Sequence, residues 1–152
     1  MAGLQNKHLL KAFETVGAKL VLLISQKLIA KDKKASGELI DKLKFRITSH
    51  KKNGLTLRLG GKQYLKYVDE GRKPGNYPPP EKIKAWIKKK GLDVRQSIDS
   101  LAFLIGRKIS EKGIKPTNVI GDSNKELEKL QKKLIMDALA KDVIASLPSK
   151  LN

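Results

Sequence analysis

An apolar residue returns every three or four positions from Leu9 through Phe13, Val16, Leu20 and Ile24 to Leu28, and at Leu43 the spacing changes to every second residue. The first spacing is one face of a 3.6-residue helix, and the second is a strand with one side buried. A chain that switches period in this way must place a long helix against a sheet. The spacing predicts a helix over residues 6–30. Val21, Leu22, Leu23 and Ile29 widen its apolar stripe, so the helix is covered on more than one side, either by the rest of the chain or by a neighbouring subunit. The polar run Lys31-Asp32-Lys33-Lys34 ends it, and Ala35-Ser36-Gly37-Glu38-Leu39 reads as a turn or a short extra helical piece.

Leu43, Phe45 and Ile47 alternate with Lys44, Arg46 and Thr48, and Leu55, Leu57 and Leu59 alternate with Thr56 and Arg58. Asn53-Gly54 between them is a hairpin turn signal, because both positions tolerate positive φ. After Gly60-Gly61, residues 63–68 read as a third strand. Residues 69–80 form a Pro/Gly-rich loop that runs into Pro78-Pro79-Pro80, a stiff extended segment. Helices follow over 81–90, with Ile83, Trp86 and Ile87 on one face, and over 94–112, with Val94, Ile98, Leu101, Ile105 and Ile109. Residues 114–120 read as extended. Ser123 with Glu126 has the spacing of a capping box, opening a last helix that carries Leu127, Leu130, Leu134, Ala138 and Leu139 to about Ile144. Residues 146–152 read as a frayed tail. The expected fold is a single α+β domain over 1–152: a long N-terminal helix packed on a three-stranded antiparallel meander, followed by two or three helices.

Charge narrows the function classes. The 152 residues carry 33 Lys+Arg against 15 Asp+Glu, a net charge of +18. Residues 51–121 alone hold 17 basic and 6 acidic side chains, whereas residues 122–152 hold 6 and 5. Such an excess suits phosphate, an acidic partner, or solubility alone. The helix at 81–90 sets Lys82, Lys84, Lys88, Lys89 and Lys90 against its apolar face and is the local candidate for contact with DNA or an acidic partner. Trp86 reads as a core anchor rather than a base-stacking platform. No zinc-finger spacing, RNP-like aromatic strand or helix-turn-helix accompanies the charge.

The absence of cysteine excludes a disulfide framework, a thiolate nucleophile and a cysteine zinc site. His8 and His50 stand too far apart in sequence for a histidine metal motif. The longest apolar run, Leu20 to Ile24, is far below the roughly 20 residues that span a bilayer, and the N-terminus does not read as a secretory signal. There is no P-loop, dinucleotide fingerprint or nucleophile elbow. Asp69-Glu70 reads as a loop ion pair with Arg72 or nearby lysines. The expectation is a protein without catalysis, metal or cofactor, soluble in a reducing compartment or in a particle assembled there.

Three segments then stand out together: Ala35-Ser36-Gly37-Glu38-Leu39; Tyr64-Leu65-Lys66-Tyr67-Val68-Asp69-Glu70-Gly71-Arg72-Lys73-Pro74-Gly75, running through the triple proline into Ile83-Lys84-Ala85-Trp86-Ile87; and Ala102-Phe103-Leu104-Ile105-Gly106-Arg107-Lys108-Ile109 with Gly113-Ile114-Lys115-Pro116-Thr117-Asn118. Their order over residues 35–120 resembles the tail-completion or neck proteins of tailed bacteriophages, the small head–tail connector and minor-tail group. In that family an aromatic usually follows the last segment; here Val119 stands there.

The resemblance implies a non-enzymatic virion protein, assembled in the bacterial host cytoplasm as a cyclic homo-oligomer between portal or adaptor and tail, with DNA passing through its lumen. A ring joins two different faces of one protomer. Phe13, Leu20 and Ile24 on the first helix are candidates for one face, and Tyr64, Tyr67, Arg72, Pro78 and Pro79 for the other. The alternative is a basic nucleic-acid-binding protein.

Overall fold

In the computed structural model, residues 6–31, 37–50, 54–62, 64–92 and 97–147 are described. Parts of several expectations lie outside them: residues 1–5, the polar run after Lys31, Ala35 and Ser36, Asn53 of the turn, Gln63, Val94, and the tail from Pro148. The described residues form six helices and one two-stranded sheet: α1 (Lys7–Ala30), α2 (Glu38–Asp41), β1 (Lys44–His50), β2 (Gly54–Gly60), α3 (Tyr64–Glu70), α4 (Pro80–Lys90), α5 (Ile98–Lys112) and α6 (Val119–Ser146). They divide into two compact units: Met1–Ile24, Lys44–Gly60 and Ile120–Asn152 make the first, Ser25–Leu43 and Gly61–Val119 the second.

The first unit holds the hairpin, the leading part of α1 and nearly all of α6. Strands β1 and β2 pair antiparallel with Phe45 opposite Leu59 and Ile47 opposite Leu57, the register that keeps both apolar sets on one face. Gly54 closes the turn at φ 68. Phe45 lies over Gly17 of α1, so close that a Cβ there would sit 2.5 Å from its ring. Ala12, Val16, Leu20 and Ile24 of α1 are buried, as are Leu127, Ala138 and Asp142 of α6.

The second unit is helical. Ile83 and Ile87 of α4 pack on Ala102 of α5, with Trp86, Ile98, Leu101 and Ile105 around them. Each fully buried aliphatic side chain of this kind contributes about 1.5–3 kcal/mol. Pro80 opens α4 at a position where no amide donor is needed, Glu81 lies in its first turn and Lys88, Lys89 and Lys90 in its last, and Gly91 caps it at φ 62. Every one of these choices favours a helix at that place.

The three-stranded meander does not form. The segment expected as a third strand is helix α3. The reason lies in which residues must be hidden: Leu65 and Val68 are buried while Lys66 and Tyr67 are exposed. Residues three apart share a face only in a helix; a strand would have put Lys66 on the same side as Val68. The aromatic and β-branched letters of Tyr64-Leu65-Lys66-Tyr67-Val68 favour a strand locally, and packing overrides them. The loop is therefore 71–79, since Asp69 and Glu70 close α3 and Pro80 opens α4. The last helix begins at Val119, four residues before the expected cap, and Ser123 is fully buried within it. The architecture is mostly helical rather than an α+β meander.

Candidate functional site

Two of the three segments that carry the family resemblance, 64–75 and 113–118, lie about 40 residues apart in sequence, and the fold joins them. Arg72 and Ile114 exchange both backbone hydrogen bonds, the Arg72 amide donating at 2.9 Å and the Ile114 amide at 2.7 Å. The Gly75 amide donates to the Ser110 carbonyl at 2.9 Å. Beyond this bridge the strap 113–118 folds over the end of α3. The Thr117 amide reaches the Val68 and Asp69 carbonyls, the Asn118 amide donates to Asp69, and the Thr117 hydroxyl donates to Val68 at 2.7 Å. The last carbonyls of a helix lack partners inside it; here a distant segment supplies them. Lys31 Nζ donates to the Thr117 carbonyl at 2.9 Å and ties the strap to the residue that follows α1.

Two glycines make this closure possible. Gly71 (φ 74) and Gly113 (φ 70) both lie in the left-handed region. A Cβ on Gly71 would meet the Ile114 carbonyl and stand 2.7 Å from Pro116 N, and one on Gly113 would meet the Arg72 carbonyl. The G-R-K-P-G and G-I-K-P-T sequences are thus two halves of one backbone clasp. Asn118 at φ 50 turns the chain into α6, and asparagine is among the few side chains that accept such a value.

The candidate contact residues divide by environment. Leu20 and Ile24 are 5% and 0% exposed, inside the first unit. Phe13 is half-buried and lines a shallow cavity of about 200 Å³ with Leu20, Leu57 and Ile135. Tyr64 opens α3. Tyr67 is exposed, Pro78 buried and Pro79 exposed. The Arg72 guanidinium donates to the Asn76 carbonyl at 2.5 Å and so braces its own loop. Neither Asp69 nor Glu70 belongs to the loop, and Glu70 lies 3.9 Å from Lys66 one turn earlier on α3.

The lysines of α4 are not equivalent. Lys84 Nζ contacts Asp99 at 2.5 Å and Glu81 at 3.0 Å. Hydrogen bonds that Lys84 donates to Asp99 first and Glu81 second raise its pKa above the ordinary lysine value. Its charge is matched within the chain. Lys90 Nζ lies 5.6 Å from the Trp86 ring centroid, and Trp86 belongs to the α4–α5 core. Lys82, Lys88 and Lys89 are exposed, and the three lysines of the last turn also complement the negative end of the helix dipole.

Sequence reading misses Tyr77. Its hydroxyl donates to the Phe103 carbonyl at 2.9 Å and its ring covers Gly106. Tyr77, Pro80, Lys84, Asp99 and Phe103 line an open cavity of about 360 Å³. Phe103 is 59% exposed and Leu104 beside it is also exposed. A signal is there to be read, since both are large apolar residues lying off the Ile98, Leu101, Ile105 stripe. Among the described residues no three His, Asp or Glu side chains lie close enough together to hold a metal ion, and no helix is long and apolar enough to cross a membrane.

Comparison of the chain with protein-family models, curated proteins and solved structures gave no match.

Proposed function

We propose that this chain is a structural connector of a tailed-phage virion, a neck or tail-completion protein that assembles as a ring between portal and tail. The observation that supports the reading most is the clasp. Two of the resemblance segments, 64–75 and 113–118, are joined by backbone hydrogen bonds around Gly71 and Gly113. A clasp of this kind ties the loop 71–79 to the strap at Arg72 and Gly75, and a loop held in place before binding suits repeated docking against identical neighbours. Exposed Tyr67 and Pro79 are the side chains of this region that a neighbour would meet.

The test is the native mass of the pure protein at two salt concentrations, with and without DNA, together with negative-stain images. The connector reading expects a species of several copies with a central hole that persists without DNA. A salt-sensitive DNA complex with no self-association would instead favour a basic nucleic-acid-binding protein, for which the net charge of +18 and exposed Lys82, Lys88 and Lys89 are the supporting features.

A further inference from the structure

The longest stretch of the chain without an acidic residue is 42–68, and it carries eight lysines and arginines. Strands β1 and β2 lie within it, and their pairing sorts the residues by face. Phe45, Ile47, Leu57 and Leu59 share one face, the one that meets α1 where Phe45 covers Gly17. The outer face carries Lys44, Arg46 and Thr48 from β1 with Thr56 and Arg58 from β2. Lys44, Arg46 and Arg58 are exposed.

Arg46 and Arg58 stand directly opposite one another in the register. Side chains so placed leave the sheet about 4.5–5.5 Å apart, and like charges there destabilise the pairing. Among the described residues no carboxylate pairs with either guanidinium. The next outward pair is Thr48 with Thr56, so hydroxyls flank the two cations. Keeping a two-stranded ribbon from aggregating requires charge on its edges but not charge of one sign. A glutamate at either position would serve that purpose and add a favourable pair. A like-charge pair that weakens the hairpin makes sense where a ligand supplies the missing anion.

The chemistry of that ligand follows from the face itself. The outward residues of the two strands include no apolar side chain, whereas the centre of a protein–protein interface is apolar and poor in lysine. Arginine, lysine and threonine are side chains that hold phosphate oxygens, and a two-stranded ribbon is one of the shapes that the major groove of DNA admits. We infer that the outer face of the β1–β2 hairpin is a nucleic-acid contact, with Arg46 and Arg58 set on the phosphates of a DNA duplex. The inference goes beyond the connector reading, because it concerns one hairpin of a single chain and holds whether or not the copies close into a ring.

The test uses the full chain and a short labelled duplex of mixed sequence, read by fluorescence anisotropy at several salt concentrations. Arg46→Thr with Arg58→Thr removes the like-charge pair and keeps strand-forming residues, so the melting temperature stays at or above that of wild type. Arg46→Glu is the second variant, since it turns the pair into an ion pair across the strands. Both are expected to bind the duplex at least about tenfold more weakly, and the double threonine variant to show a salt slope smaller by about two. Lys125→Ala with Lys133→Ala removes the same charge from exposed positions on α6 and is expected to leave the slope unchanged. Variants that bind like wild type overturn the inference, as does a slope lost equally in the α6 variant. So does a wild-type chain that prefers the single strand, or one that releases the duplex to polyglutamate at equal charge, the outcome expected of an acidic protein partner. A wild-type chain that binds no duplex at low salt overturns the inference and leaves the connector reading standing. One that binds through the two arginines and stays monomeric upholds the inference and removes the ring.

Discussion

Asp142 holds the start of α1 from 134 residues away, its carboxylate accepting the His8 amide at 3.0 Å and the His8 ring Nδ1–H at 2.8 Å. The Leu9 amide adds a third bond at 2.8 Å. The first turn of α1 contains no acidic residue of its own. The opening amides of a helix need acceptors, and a negative charge there complements the dipole. α6 supplies what the local sequence does not.

This bond set places an acid limit on stability. Burial of the Asp142 side chain (1% exposed) pushes its pKa up, but the His8 and Leu9 amides and the His8 ring together hold it below the ordinary aspartate value. A carboxylate with a lowered folded pKa adds stability that is present above its unfolded value, about 3.9, and is lost as pH falls through the folded value. Asp142→Ala should lower the melting temperature by a few degrees at pH 7, Asp142→Asn should do so less, and the difference from wild type should shrink below pH 4. Thermal melts at pH 7 and pH 3 check this; a gap that is unchanged in acid contradicts it.

The clasp should fail at its glycines before it fails at its side chains. Gly113→Ala demands positive φ from alanine and drives its Cβ into the Arg72 carbonyl, a cost of about 1–3 kcal/mol or more. Thr117→Val removes one hydroxyl bond to Val68 and should cost about 1 kcal/mol. Urea unfolding followed by Trp86, the only tryptophan, orders the two variants; equal effects would show that the backbone closure is not the stronger element.

Tyr77 fills the place of a side chain at position 106. Gly106→Ala has to push the ring away and break its bond to the Phe103 carbonyl, overpacking that should cost about 1–3 kcal/mol. Tyr77→Leu makes a second, independent break at the same place. A double-mutant cycle in which the two effects simply add would show that the ring does not depend on Gly106.

The lysines of α4 should separate in any DNA binding. Lys82→Ala and Lys88→Ala should each reduce the salt slope by about one, the amount expected for a single lysine on a single phosphate. Lys84→Ala should leave it unchanged, since Lys84 is already matched by Asp99 and Glu81. Titration of a labelled duplex at several salt concentrations measures the slopes, and a drop for Lys84→Ala equal to that for Lys82→Ala counts against the assignment.

How far the sequence can be read follows from where each instruction resides. The hairpin is legible because its period and its turn letters are local, and Phe45 does face Leu59 as the alternation requires. Helices α1, α4 and α5 are legible for the same reason. Segment 64–70 is not: seven residues with two tyrosines and a valine suit a strand as well as a helix, and the decision rests on hiding Leu65 with Val68 while Lys66 stays out. The start of α6 escapes a local reading because Ser123, a good cap by its letters, is buried inside the helix, which begins at Val119 directly after the strap 113–118. The clasp is visible as motif letters, but its closure runs through backbone amides that no letter encodes. Asp142 is, in the sequence, one acid among many charges.

The first unit draws on the beginning, the middle and the end of the chain, and its α1 is capped by a residue from α6. During synthesis the first helix emerges with its opening amides unmatched, a condition that lasts until position 142 has been made, and with its apolar face covered only in part by the hairpin. The second unit takes most of its residues from a continuous stretch and closes earlier, when Thr117 arrives over Val68. Folding on the ribosome should therefore proceed from the middle outwards, leaving the N-terminal helix dependent on chaperone shelter for most of translation.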